Sequence, residues 1–82
     1  MQISNIFPQE FFVRLKGLED HLKGRITLYQ GIKGFDLEID IVQSESGKIY
    51  NHVKSMYNQE DPRDAIDMAV QHLKDYLVSK SS

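Results

Sequence analysis

The chain has 82 residues, of which 40% are hydrophobic, and a formal net charge of −2. This length predicts one domain, residues 1–82, and the hydrophobic content excludes a disordered chain. The sequence contains no cysteine, which excludes disulfides and thiolate metal sites. Lys and Arg occur singly and never as a block, a pattern that disfavours a nucleic-acid partner.

The start of the chain lacks the basic and apolar regions of a signal peptide. No run approaches the roughly 20 apolar residues that a membrane helix needs. Since the chain also has no cysteine, we expect a soluble protein of the cytoplasm with no membrane partner.

The first predicted element is a helix over about 8–23. Pro8 suits the first turn of a helix, where its missing N–H costs nothing. Gly24 follows at the position of a C-terminal cap. The apolar stripe at helical spacing consists of Phe11, Leu15, Leu18 and Leu22.

Three strands are predicted next, at about 25–30, 35–42 and 48–57. The middle segment alternates apolar and acidic residues, which indicates one dry face and one wet face. The wet face carries three carboxylates, Asp36, Glu38 and Asp40.

The register of these strands follows from the requirement that inward residues face inward residues. A three-residue loop ending in glycine in the second hairpin sets Asp40 opposite His52 and Glu38 opposite Lys54. The first hairpin places Arg25 opposite Asp40 or Glu38. We therefore expect cations on both sides of the acidic middle strand.

A second helix is predicted over 61–79. Asp61 suits the N-cap and Pro62 the first helical residue, and apolar residues recur at helical spacing from Ala65 to Leu77. Because only one sheet face is apolar, both helices should cover that face. The predicted fold is α+β, in the order α-β-β-β-α, with a three-stranded antiparallel meander sheet.

This order resembles that of the double-stranded-RNA-binding domain, over most of the chain and in topology rather than in motif. Members of that family begin their last helix with a lysine cluster that binds phosphates. The corresponding segment, 61–67, has one arginine among three aspartates, which argues against that activity. Strands followed by Asp64-Ala65-Ile66 and Leu73-Lys74-Asp75-Tyr76-Leu77 also resemble, in a generic way, the antitoxin partners of some toxin pairs.

No catalytic, metal or cofactor site is predicted. His21, His52 and His72 fall on three different elements without a metal-type partner at helical spacing. Carboxylates on one strand face are about 6.5–7 Å apart, too far to hold one ion unaided. The sequence has neither a glycine-rich phosphate loop nor a nucleophile elbow. We therefore expect a protein that is not an enzyme.

The open sheet face is the predicted interface, because aromatic and methionine side chains are favoured there. Its residues are Tyr29, Val42, Tyr50 and Met56. The function expected from this is that of a small accessory or regulatory protein, of inhibitor or mobile-element type, that binds a protein partner or a second copy of itself.

The alternative function is nucleic-acid binding on the scaffold of the double-stranded-RNA-binding domain. The residues that would contact phosphates lie around the predicted first helix. They are Arg14, Lys16, Lys23 and Arg25.

Overall fold

The computed structural model describes residues 7–81, with side chains through residue 79. It contains one antiparallel sheet of four strands in the order β1-β2-β3-β4, followed by a single helix. The elements are β1 (Gln9–Val13), β2 (Leu22–Gln30), β3 (Phe35–Gln43), β4 (Ile49–Gln59) and α1 (Pro62–Ser81).

The predicted α-β-β-β-α order and the predicted three-stranded sheet are therefore wrong, because the segment 8–23 forms β1, a loop and the first two residues of β2 rather than a helix. In β1 the half-buried side chains of Phe11 and Val13 alternate with an exposed Phe12, which is the period of a strand. Gly17 has a φ of +97°, a conformation that a right-handed helix excludes. The resemblance to the double-stranded-RNA-binding domain depended on a first helix, so the observed fold does not support it.

The core lies between one sheet face and α1. The helix begins as predicted, because Asp61 Oδ1 accepts the backbone N–H of Arg63 at 2.9 Å, which is an N-cap interaction. Within the described residues α1 is the one helix on the apolar face of the sheet, so the prediction that two helices cover this face is wrong. The buried cluster comprises Leu22, Ile26, Leu28, Leu37, Ile39, Ile41, Met56, Ala65, Ala69 and Leu73.

Gly24 is a strand residue in β2 and not a helix cap. A Cβ atom at this position would lie 2.9 Å from Leu73 Cδ1 and 3.4 Å from the carbonyl oxygen of Val13. Leu73 therefore packs directly on the β2 backbone, in space that only glycine leaves open. This contact sets the second half of α1 over the end of β1.

The predicted register of the middle strand is confirmed at its centre, where Asp40 pairs with Arg25 on β2 and with His52 on β4. The predicted pairing of Glu38 with Lys54 is wrong, because Glu38 pairs with Ser55. The pairing of β3 with β4 contains three register shifts. Each shift is a bulge that adds a residue to β4 and turns a side chain to the other face.

Gly34, in the turn between β2 and β3, is expected to be intolerant of alanine. Its φ is +154°, and a Cβ atom would lie 2.7 Å from the carbonyl oxygen of Gln59, a backbone atom with little freedom to move. We expect Gly34→Ala to lower the free energy of unfolding by about 2 kcal/mol. Urea denaturation measures this loss.

Gly47 provides the matched control, because its φ is +74° and nothing lies within 4 Å of a Cβ atom there. Gly47→Ala should lower the free energy of unfolding by about 1 kcal/mol, the cost of the left-handed conformation alone. Equal losses in the two variants would contradict the close packing of Gly34 against β4.

Candidate functional site

A cleft of about 270 Å³ opens between the β1–β2 loop, the sheet and the last turns of α1. Gly17, Leu18 and Glu19 of the loop form one wall. The remaining lining residues come from the sheet and the helix: Leu22, Ile41, Tyr50, Tyr76 and Leu77. We call this the tyrosine cleft. Its surface is predominantly apolar, and Glu19 is its one charged lining residue.

The two tyrosines reach the cleft from different elements. Tyr76 is half-buried against the core, and its hydroxyl oxygen accepts a hydrogen bond from Asn51 Nδ2. Because Asn51 lies on β4, this bond ties the last turns of α1 to the sheet edge. Tyr50 lies next to Asn51 and is 50% exposed, so the cleft presents an aromatic ring to solvent.

Tyr50 lines this cleft because of a β-bulge. Ile41 pairs with Asn51 and Val42 with Ile49, so Tyr50 is the additional residue of β4 between those pairs. A bulge re-aims the side chain that it carries. The predicted neighbours Val42 and Tyr50 are therefore separated, and Tyr50 joins Tyr76 near the helix.

The four predicted interface residues do not form one surface. Met56 belongs to the core cluster at 5% exposure, and Val42 is fully buried opposite Lys23. Tyr29 pairs with Asp36 and remains exposed. Burial thus removes Val42 and Met56 from any docking surface of this protein, while Tyr29 and Tyr50 are exposed at separate places.

The four cations predicted to contact nucleic acid also lie apart, because the segment predicted as the first helix is not helical. Arg14 and Lys16 lie in the β1–β2 loop, beside the second half of α1. Lys23 Nζ lies 4.1 Å from the centroid of the Phe12 ring, a cation–π geometry. Arg25 contacts carboxylates on both sides. They do not share the single basic face that phosphate binding uses.

The sheet face away from the helix carries a buried carboxylate, that of Asp40, whose side chain is 4% exposed. Asp40 Oδ2 lies 3.5 Å from Arg25 Nη2, and Asp40 Oδ1 lies 2.8 Å from His52 Nδ1. Arg25 Nη1 also lies 3.7 Å from Glu10 Oε2. The predicted flanking of the acidic middle strand by Arg25 and His52 is therefore confirmed.

His52 continues this network to a serine. Its Nε2 lies 3.1 Å from Ser55 Oγ, so Asp40, His52 and Ser55 stand in the succession of a hydrolase triad. However, Ser55 Oγ donates its hydrogen bond to Glu38 Oε1 at 2.8 Å. The hydroxyl hydrogen of Ser55 is therefore directed to Glu38 and not to His52, and the Glu38 carboxylate would repel a developing oxyanion. We interpret the network as a structural one that gives the buried Asp40 carboxylate its partners, Arg25 and His52.

Two further features bear on the site within the described residues. No three His, Asp or Glu side chains between residues 7 and 79 are grouped to hold a metal ion. In the same part of the chain, no helix is long and apolar enough to cross a membrane.

Sequence reasoning misses most residues of the tyrosine cleft as site residues, among them Leu18, Leu22, Tyr76 and Leu77. The sequence places all four in or beside the apolar stripes of two predicted helices, a position that indicates core residues. The available signal was Gly17, because a glycine in a helix interior is unfavourable and suggests a turn. A turn at this point brings Leu18 and Leu22 to the end of the sheet instead of along a helix.

Comparison of the chain with protein-family models, with curated proteins and with solved structures found no match, so its function is inferred from its own residues.

Proposed function

We propose that this chain is a small, non-catalytic protein module that binds another protein by holding an apolar side chain of that partner in the tyrosine cleft. The observation that supports this proposal most is that two tyrosines, Tyr50 and Tyr76, line the same cleft beside aliphatic side chains. Tyrosine is enriched at interfaces because it contributes area, rigidity and a polar group together. The role is that of an accessory or regulatory protein of the cytoplasm.

The size of the cleft favours a side chain over a free ligand. Sites for small molecules and cofactors typically enclose about 300–1,000 Å³, and the cleft measures about 270 Å³. A volume at this lower limit suits one buried anchor residue, the usual centre of a protein interface. The Asn51–Tyr76 hydrogen bond holds one wall in place before binding, which reduces the entropy lost on association.

Tyr50→Asp is expected to abolish partner binding, because it removes one aromatic wall and places a charge at the mouth of an apolar cleft. Extracts of the source cells are passed over the immobilised wild-type and variant proteins, and the retained proteins are quantified by mass spectrometry. The amount of the partner that is retained should be at least tenfold lower with Tyr50→Asp than with the wild type, a difference of about 1.4 kcal/mol in binding free energy. The purified partner is then titrated by calorimetry.

Tyr57→Asp is the matched control, since Tyr57 is 60% exposed on the same strand and does not line the cleft. This variant should retain the partner. Light scattering distinguishes a second copy of this chain, since a wild-type dimer that Tyr50→Asp dissociates would identify the partner as the protein itself. Equal retention by the wild type and Tyr50→Asp would contradict the proposal.

A further inference from the structure

A second concave surface lies between the second half of α1 and the end of β1 with the loop residues that follow it. It is a groove of about 340 Å³, and its lining is mostly aliphatic. We call it the β1–helix groove. Its apolar residues are Val13, Leu15, Val70, Leu77 and Val78. The two concave surfaces share only Leu77, so an inference about the groove stands whether or not the tyrosine cleft binds a partner.

The groove is bordered by cations. Arg14, Lys16 and Lys74 line the groove, and no carboxylate does. Glu19 and Asp20 line an adjoining hollow that also contains Arg14 and Lys16. Among the side chains described, none of the three cations forms an ion pair. The nearby carboxylate of Asp75 instead accepts a hydrogen bond from Gln71 Nε2 at 3.0 Å. On a chain of net charge −2, this is a local positive border around an apolar floor.

At one end the groove meets the edge of a strand, since its lining residue Val13 is the last residue of β1. β1 is the first strand in the sheet order and pairs with β2 alone. Within residues 7–81, no strand pairs with its outer side. Such an edge has unpaired backbone N–H and C=O groups, to which an extended peptide can add as a further strand.

We propose that the β1–helix groove binds an extended acidic segment of a partner protein, which adds to β1 as a fifth strand. Alternate apolar side chains of that segment pack on Val13 and Val78, and its carboxylates pair with Arg14, Lys16 and Lys74. The aliphatic floor favours a polypeptide over single-stranded nucleic acid, because bases bind by stacking on aromatic rings.

The probe is a synthetic, fluorescein-labelled peptide in which valines alternate with threonines and are followed by three glutamates. Its binding to the full chain is measured by fluorescence anisotropy, and amide chemical-shift changes in NMR spectra locate the site. We expect saturable binding that weakens with added salt, with shifts concentrated in β1 and residues 70–78. The same peptide with lysines replacing the glutamates should not bind.

The double variant Arg14→Glu and Lys74→Glu should weaken binding of the acidic peptide by about tenfold, because two attractive pairs become repulsive. Lys33→Glu is the control, since Lys33 lies in the β2–β3 turn at the other end of the sheet and should leave the affinity unchanged. A peptide with proline at alternate positions should also fail to bind, because it cannot supply the strand hydrogen bonds.

The following results would overturn the proposal. They are no saturable binding of the acidic peptide, an affinity unchanged in the double variant, equal binding of the proline peptide, and shifts confined to the opposite sheet face. Tighter binding of an oligothymidylate than of the peptide at the same residues would also overturn it, in favour of nucleic acid.

Discussion

Asp40→Ala is expected to lower the free energy of unfolding by about 3 kcal/mol, the low end of the cost of breaking a buried ion pair by removing one partner. The variant leaves Arg25, whose side chain is only 18% exposed, with Glu10 at 3.7 Å as its remaining carboxylate. Arg25 Nε is already buried with no hydrogen-bond partner among the described residues. His52 loses its 2.8 Å contact at the same time.

Urea denaturation of the wild type and the variant at constant m-value measures this loss. The double variant Arg25→Met and Asp40→Leu is the informative comparison, because removing both charges leaves no uncompensated cation. It should recover most of the lost stability. A loss below about 1 kcal/mol in Asp40→Ala, the range of exposed pairs, would contradict the buried network on this sheet face.

Leu73→Ala is expected to cost about 3 kcal/mol, within the 2–5 kcal/mol range of buried leucine truncations. Leu73 is fully buried and packs on the β2 backbone at Gly24. Its removal opens a cavity where α1 meets the sheet. Because α1 is the one helix among residues 7–81, no second helix in that part of the chain can move into the cavity. Thermal and urea denaturation both measure the loss.

Substitution of Gly24 tests the contact with Leu73 directly. Gly24→Ala alone should destabilise the protein, since its Cβ atom would lie 2.9 Å from Leu73 Cδ1. In the Leu73→Ala background the same Cβ atom occupies vacated space, so the double variant should be less destabilised than the sum of the two single variants. Additive losses would contradict the contact. Val78→Ala, at a position that is 69% exposed on the same helix, should change stability by less than about 0.5 kcal/mol.

The sequence predicts the elements whose signals are local. The helix expected at 61–79 is observed as Pro62–Ser81, and the acidic middle strand expected at 35–42 is observed as Phe35–Gln43. The parity argument also predicts the pairing of Asp40 with His52, and it limits the partner of Arg25 to Asp40 or Glu38, of which Asp40 is observed. In these segments the apolar period, the turn glycines and the N-cap residue all favour the same structure.

The first segment was mispredicted because its apolar spacing fits two structures. Phe11, Leu15, Leu18 and Leu22 all contact the core in the observed fold, although they lie on a strand, on a loop and at the start of β2. A helical stripe gives the same spacing. The left-handed φ of Gly17 distinguishes the two, and the sequence offers only the glycine itself as a hint.

The candidate site depends on features that alternation alone does not reveal. The bulge at Tyr50 turns this side chain toward the helix, and parity counting assumes a regular ladder without bulges. The cleft and the groove also require the β1–β2 loop to lie against the last turns of α1. Long-range packing of this kind has no signature in a local window of sequence.

The central claim is that residues 9–13 form an edge strand, since the β1–β2 loop that follows this strand lines both concave surfaces. The most direct test is a backbone NMR assignment of the full chain with inter-strand nuclear Overhauser effects. The account predicts strand-type shifts for Gln9–Val13 and contacts between Phe11 and its partner Ile26. Continuous helical shifts over residues 8–23, without those contacts, would contradict it.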